Sequence, residues 1–154
     1  MILTKTVIQE EIKSKRIKIE PFDEKSIGPA SIDLTLADSI RIFDNTESVI
    51  DISSNLDYKK NTKVIKLGSG YILKPKELVL GITKEKVSLP DNICGWLQSR
   101  SRFARIGLMS HITAPFICPG VSNNQVLEIF NAGNHNIMLK PNVKICHLIL
   151  QECK

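Results

Sequence analysis

The sequence predicts an all-β (mainly β) domain with one short N-terminal helix, and three features point that way. Only 5% of the 154 residues are aromatic while 42% are hydrophobic, so the core must be built mainly from Ile, Leu and Val, which favour pleated surfaces. Ile32, Leu34 and Leu36 alternate with Ser31, Asp33 and Thr35, the period of a strand with one buried face. Similar short runs recur along the chain, punctuated by Gly, Pro and Asn, which indicates a sandwich or barrel.

Thr4 or Thr6 can cap a first helix, with Gln9 three residues after Thr6 and Val7, Ile8 and Ile12 on one side; it is expected to end near Lys15. After the turn at Gly28-Pro29 the first strand follows, at Ile32 to Leu36. Further strands are expected at Ile40 to Phe43, Val49 to Ile52, Thr62 to Leu67, Tyr71 to Leu73, Leu78 to Thr83, Cys94 to Gln98, Gln125 to Phe130, Asn136 to Leu139 and Lys144 to Leu150. The most polar region, Asp44 to Asn61, reads as an exposed hairpin or loop. No repeat or linker divides the chain, so residues 1–154 are expected to form a single domain.

A net charge of +5 with 24% charged residues suits a soluble protein, but Lys and Arg are interspersed with Asp and Glu rather than gathered on one stretch. Tyr58, Tyr71 and Trp96 form no base-stacking motif, so a nucleic-acid partner is not expected. No apolar run approaches the roughly 18 residues of a membrane span, and no signal-peptide pattern is present. A cytoplasmic protein with reduced thiols is therefore expected, since Cys94, Cys118, Cys146 and Cys153 show no C-x-x-C pairing.

The chemistry-bearing residues gather in the last third. Arg100, Arg102 and Arg105 follow the strand through Trp96; their guanidiniums and nearby amides suit a phosphate chain, and equally a solvated basic loop. Ser101 lacks a G-x-S-x-G elbow, which leaves it a hydrogen-bonding or water-positioning hydroxyl. Glu128 is one acid in the apolar run Val126-Leu127-Glu128-Ile129-Phe130, the pattern of a strand buried on both sides. Burial there raises a carboxyl pKa toward the range useful for moving protons; an edge-strand glutamate or a structural ion pair would give the same sequence. His147 beside Cys146 does not make a metal pair, because neighbours in a strand face opposite ways. The H-x-E and P-C-x-x-C pattern of zinc nucleobase deaminases is absent, so neither zinc nor any other protein-bound metal is expected.

These motifs, in this order, resemble the dCTP deaminase branch of the dCTP deaminase and dUTPase superfamily. Arg100-Ser101-Arg102-Phe103-Ala104-Arg105-Ile106-Gly107-Leu108 is similar to the family's R-S-S-L-x-R-x-G-L, His111 to Ala114 to its H-x-T-A, and Val126, Leu127, Glu128 and Asn131 to its V-L-E-x-x-N. With Ile27 to Leu34 and the N-terminal helix, the resemblance covers nearly the whole chain. It implies a distorted jelly-roll, dUTPase-like (β-clip) barrel, a homotrimer with sites at subunit interfaces, and zinc-free hydrolysis of dCTP to dUTP and ammonia. Glu128 would be the proton shuttle, with Ser101 and Arg105 as its catalytic partners. The nucleotide would be bound by Arg100, Ser101, Arg102, Phe103, Ala104, Arg105, Thr113, Ala114, Cys118, Val126, Leu127 and Glu128, and Mg²⁺ would arrive on the triphosphate.

The chain departs from the family pattern at three places. Ile117-Cys118-Pro119-Gly120 stands where the family has I-D-x-G, so the aspartate that contacts sugar, and in dUTPases activates water, is a thiol, a poor general base. Arg102 replaces the second serine of R-S-S. Lys154 directly follows the last expected strand, where the deaminases carry a segment that closes over the triphosphate, so those lid contacts are expected to be missing. Two alternatives to dCTP deamination follow: dUTP diphosphatase activity, alone or combined with deamination, and a catalytically degenerate nucleotide-binding member.

Overall fold

The computed structural model describes residues 1–44, 49–52 and 55–154. Its elements are α1 (Lys5–Lys13), β1 (Lys18–Glu20), β2 (Ile32–Phe43), β3 (Thr62–Lys66), β4 (Tyr71–Leu73), β5 (Leu78–Ser88), β6 (Ile93–Ser99), α2 (Ser101–Ala104), β7 (Leu108–Met109), β8 (Phe116–Ile117), β9 (Ser122–Asn131), β10 (Ile137–Leu139) and β11 (Lys144–Glu152). Nine strands form one sheet with the path β7-β9-β5-β2-β11-β6-β8, extended by β1 on β5 and β3 on β2; β4 and β10 pair separately.

The sheet curls into a half-barrel because β2 changes partners along its length. Ile32 to Thr35 face β11, whereas Leu36 to Phe43 face β5 and β3, with a register shift between Leu36 and Ile40. Such an irregularity bends a strand and increases its twist. The sequence alternation on either side of the bulge is two halves of one strand. A second irregularity between Ile82 and Lys86 of β5 lets Thr83 Oγ1 accept the Gln125 N–H at 2.8 Å while donating to the Glu85 carbonyl at 2.7 Å. The buried polar residues of the bend are thereby satisfied.

The concave side is aliphatic. Ile32, Leu34, Leu36, Val79, Leu127, Ile129, Leu148 and Leu150 are all at or below 1% exposure, and each contributes about 1.5–3 kcal/mol by leaving water. Helix α1 starts after Thr4, which caps it through its backbone, and ends at Lys13. It docks through Ile8, with Ile12 half-buried and Val7 exposed. Gln9, in place of closing a capping box, donates to Glu24 at 3.3 Å. No helix among the described residues is long and apolar enough to cross a membrane, and all four cysteines are free thiols.

One expected strand does not form. Val49, Ile50 and Ile52 are irregular and 94%, 44% and 81% exposed; an apolar run makes a strand only where a partner edge completes its backbone hydrogen bonds. Of the polar Asp44 to Asn61 stretch, residues 45–48 and 53–54 lie outside the described residues. The rest carries a 3₁₀ turn at Tyr58–Asn61, capped by Asp57, whose carboxylate accepts the Lys59 N–H at 3.0 Å.

Candidate active site

β9 alternates strictly from Gln125 onward. Gln125, Leu127, Ile129 and Asn131 are buried, and Val126, Glu128 and Phe130 lie on the other, partly exposed face. The expectation of a strand buried on both sides is therefore corrected: the outer face is only partly covered, and Glu128 sits on it. Leu127, fully in the core, has no side-chain surface to offer a nucleotide.

The chain after β7 wraps over Glu128. Its Oε2 accepts the backbone N–H groups of Ile112 at 2.8 Å and Thr113 at 2.9 Å, with Ala114 at the longer 3.4 Å. Desolvation pushes the carboxyl pKa up, but the three amides and the nearby His111 outweigh it and hold the group below its usual value of 4.5. The sequence expectation of a raised pKa is thus reversed. Glu128 is an ionised acceptor at neutral pH, and Oε1 is free of these bonds. It lines a cavity of about 390 Å³ with Phe43, Tyr58, Leu80, Ile112, Thr113 and Val126, so a single carboxylate faces an apolar, aromatic-walled space. Thr113 and Ala114, expected at the nucleotide, turn their amides to Glu128.

The arginine segment is anchored at both ends. Ser99 and Ser110 share a 2.8 Å hydroxyl pair, and the Ser110 N–H reaches Ser99 Oγ at 3.0 Å. Between them α2 is a single helical turn closed by the Arg105 N–H to the Ser101 carbonyl at 3.0 Å. Gly107 follows with φ +87°, and a Cβ there would come within 2.5 Å of the Gly133 nitrogen. Only glycine suits that backbone conformation and closeness. Asn131, fully buried, donates to the Leu73 and His135 carbonyls and accepts the Gly133 N–H, which fixes the opposite wall.

Within this segment the expected residues diverge. Ser101, Arg102, Ala104 and Arg105 are exposed and Phe103 half-buried. The Arg102 guanidinium lies 4.9 Å over the Phe103 ring, a stacking contact that occupies one face of it. Arg105 and Phe103 line a second, larger cavity of about 710 Å³ with Ile106, Met138 and Lys140. Arg105 thus lines this cavity, and Glu128 the smaller one. Cys118 is exposed beside Gly120, the residue with φ +75° in the tight turn after β8.

Sequence reasoning missed a cluster on the outer face of β2 and β11. Asp33 Oδ2 accepts Arg100 Nη1 at 2.7 Å, and Asp33 Oδ1 is 2.8 Å from His147 Nδ1. The signal was present: Asp33 and His147 both fall on the polar phase of alternating strands. Cys146 faces the core, opposite to His147 as neighbours in a strand are expected to be, and burial, with Glu85 and Asp33 nearby, pushes its thiol up to about 12. Also missed were Phe43 and Tyr58, which adjoin Glu128 only through the fold.

Residues 2–153 match the family model described as dCTP deaminase-like. The chain is 40% identical over 151 residues to the dUMP-forming dCTP deaminase of Mycolicibacterium smegmatis and 39% identical to that of Mycobacterium tuberculosis, covering 97% of this chain and 80% of each relative. Its fold is similar to the crystal structure of 2'-deoxycytidine 5'-triphosphate deaminase from Agrobacterium tumefaciens, with a TM-score of 0.78 at 16% identity over 99% of this chain. The chain spans 48% of that solved chain. A dUTPase variant from Staphylococcus bacteriophage 80alpha, solved with dUpNHpp, is similar with a TM-score of 0.56 at 15% identity over 90% of each chain. The half-barrel is thus dUTPase-like, and with the match along almost its whole length the chain belongs to the dCTP deaminase-like family.

Proposed function

We propose that this chain, acting as a single domain, hydrolyses dCTP to dUTP and ammonia, with Glu128 as a zinc-free proton shuttle. The observation that carries this reading is the Glu128 carboxylate, pinned through Oε2 by three amides, with no hydrogen bond to Oε1 among the described residues, on the wall of an apolar cavity. An ionised, oriented carboxylate is a general base. It takes a proton from water as the oxygen bonds to C4 of cytosine, passes the proton to ring N3, and assists transfer of a second proton to the amino group. Collapse of the tetrahedral centre breaks the C4–N bond and releases ammonia. Ser101 and Arg105 hold the water and stabilise the charge developing at C4.

Arg105 and Glu128 line different cavities of one chain, which supports a site shared between copies of a homotrimer: Glu128 from one, the Arg100 to Arg105 segment from its neighbour. The exposed guanidiniums of that segment suit the phosphates. Mg²⁺ would come with the triphosphate, whose oxygens and waters are the ligands it prefers. The measurement is incubation of purified protein with dCTP and Mg²⁺, reading ammonia and uracil nucleotides, alongside sedimentation for the trimer. No ammonia from dCTP refutes the deaminase reading, and nucleotide affinity without turnover of dCTP or dUTP establishes the degenerate one.

A second reading rests on the relatives' name. A product of dUMP takes cleavage of the α–β phosphoanhydride as well as deamination, and this chain is 38–40% identical to proteins so named. Cys118 at the family's aspartate position opposes it, because that aspartate activates water in dUTPases. Pyrophosphate and dUMP from dCTP or dUTP would establish the second step; accumulation of dUTP would confine the chain to the first.

A further inference from the structure

We infer that Asp33 and His147 are positioning residues that hold Arg100 for the phosphate chain of the substrate; the inference rests on the nucleotide reading above and names how that site is organised. Three segments converge here. Asp33 projects from β2, His147 from β11, and Arg100 follows β6, with His147 opposite Asp33 in one ladder and opposite Gln98 in the next. Both oxygens of Asp33 are engaged, Oδ2 by Arg100 Nη1 at 2.7 Å and Oδ1 by His147 Nδ1 at 2.8 Å. A carboxylate only accepts, so His147 presents its proton at Nδ1, and the imidazole stops the carboxylate from rotating.

Among the described residues the Arg100 guanidinium donates through Nη1 alone, to Asp33 and, at 3.4 Å, to the Lys144 carbonyl. Among the described residues no hydrogen bond engages its Nη2 or Nε. The guanidinium is a rigid fork, so fixing one amino group aims the other edge. That edge is what phosphate oxygens take in paired hydrogen bonds. The side chains of Asp33 and Arg100 are 18% and 20% exposed, enough shelter to order the pair while leaving it open on one side.

The competing view is that Arg100 acts through charge, with Asp33 merely neutralising part of it. The two views differ in sign. Inorganic tripolyphosphate with Mg²⁺ is the probe, its affinity measured by calorimetry on the full chain in its native assembly. Positioning predicts that Asp33→Asn weakens tripolyphosphate about tenfold and raises the KM for dCTP more than it lowers kcat. Charge neutralisation predicts tighter binding of tripolyphosphate, and that result, or an unchanged affinity, overturns the proposal. His147→Ala should weaken the same probe, whereas His147→Asn, which keeps a donor near Nδ1, should retain most of the affinity. Equal loss in both His147 variants also overturns it, and this pair decides the matter if Asp33→Asn does not fold. A wild-type chain that binds tripolyphosphate but releases no ammonia from dCTP refutes the deaminase reading and leaves the positioning result standing on its own.

Discussion

Glu128→Gln separates chemistry from architecture at the centre of the site. The carboxamide keeps an oxygen where Oε2 accepts the Ile112 and Thr113 amides at 2.8 and 2.9 Å, and the 3.4 Å contact to Ala114 contributes little either way. What is lost is the charge on the acceptor. A hydrogen bond to a charged group is worth about 1.5–3 kcal/mol against about 0.5–1.5 for a neutral one, so two good bonds lose roughly 1–3 kcal/mol, and water at this half-buried position brings the figure to the lower end. For a chain of 154 residues that is a fall in Tm of about 2–6 °C. The shuttle, by contrast, cannot work through an amide, and removing a general base costs about 10²–10⁴ in rate, or roughly 2.7–5.4 kcal/mol of barrier. Thermal unfolding and ammonia release from dCTP measure the two effects independently. A folded Gln variant whose kcat stays within about threefold of the parent refutes the shuttle.

Because the amides hold Glu128 below its ordinary 4.5, the acid limb of kcat/KM should lie below that value, and an acid limb between pH 6 and 7 would show that another group is the base. The same depression makes Glu128 a contributor to stability above its unfolded-state pKa, a contribution lost as pH falls through the lower folded value; Glu128→Gln should therefore flatten the acid side of the Tm profile. Leu127→Ala, at a side chain with 0% exposure, should cost about 2–5 kcal/mol, and a chemical-denaturation loss under 1 kcal/mol would contradict the packing of β9. Gly107→Ala puts a Cβ within 2.5 Å of the Gly133 backbone at φ +87° and should cost at least about 1–3 kcal/mol, read in the same denaturation assay; wild-type stability would contradict the backbone at that turn.

The legible part of the fold was its periodicity. Ile32, Leu34 and Leu36 announce a buried face, and they bury it. The alternation breaks at Leu36 to Ile40 because the strand bulges there while continuing, and a residue pattern does not distinguish a bulge from a turn. Lys18 to Glu20, a single isoleucine between two charged residues, form a strand only because β5 offers its edge at Lys86 to Ser88. Val49 to Ile52 have the opposite fortune, a strand-like composition with no edge to join. Pairing partners are tertiary facts, and composition carries them poorly.

At the candidate site the sequence singles out Glu128 as one acid in an apolar run but misjudges its electrostatics. An acid in an apolar run was read as desolvated, and it is; the sign of its pKa shift comes from the amides of Ile112 to Ala114, backbone groups that no side-chain pattern reveals. Alternation in β9 supplies the missing step. With Leu127 and Ile129 committed to the core, period two places Val126, Glu128 and Phe130 on the opposite face. A register slip of one residue would drive the carboxylate into the aliphatic core, at several kcal/mol for an unpaired charge, and expose two large hydrophobes. The packing that secures β9 against β5 and the orientation of Glu128 toward its amides are therefore one constraint, which is why a fold stabilised by aliphatic side chains can hold a single acid so firmly in place.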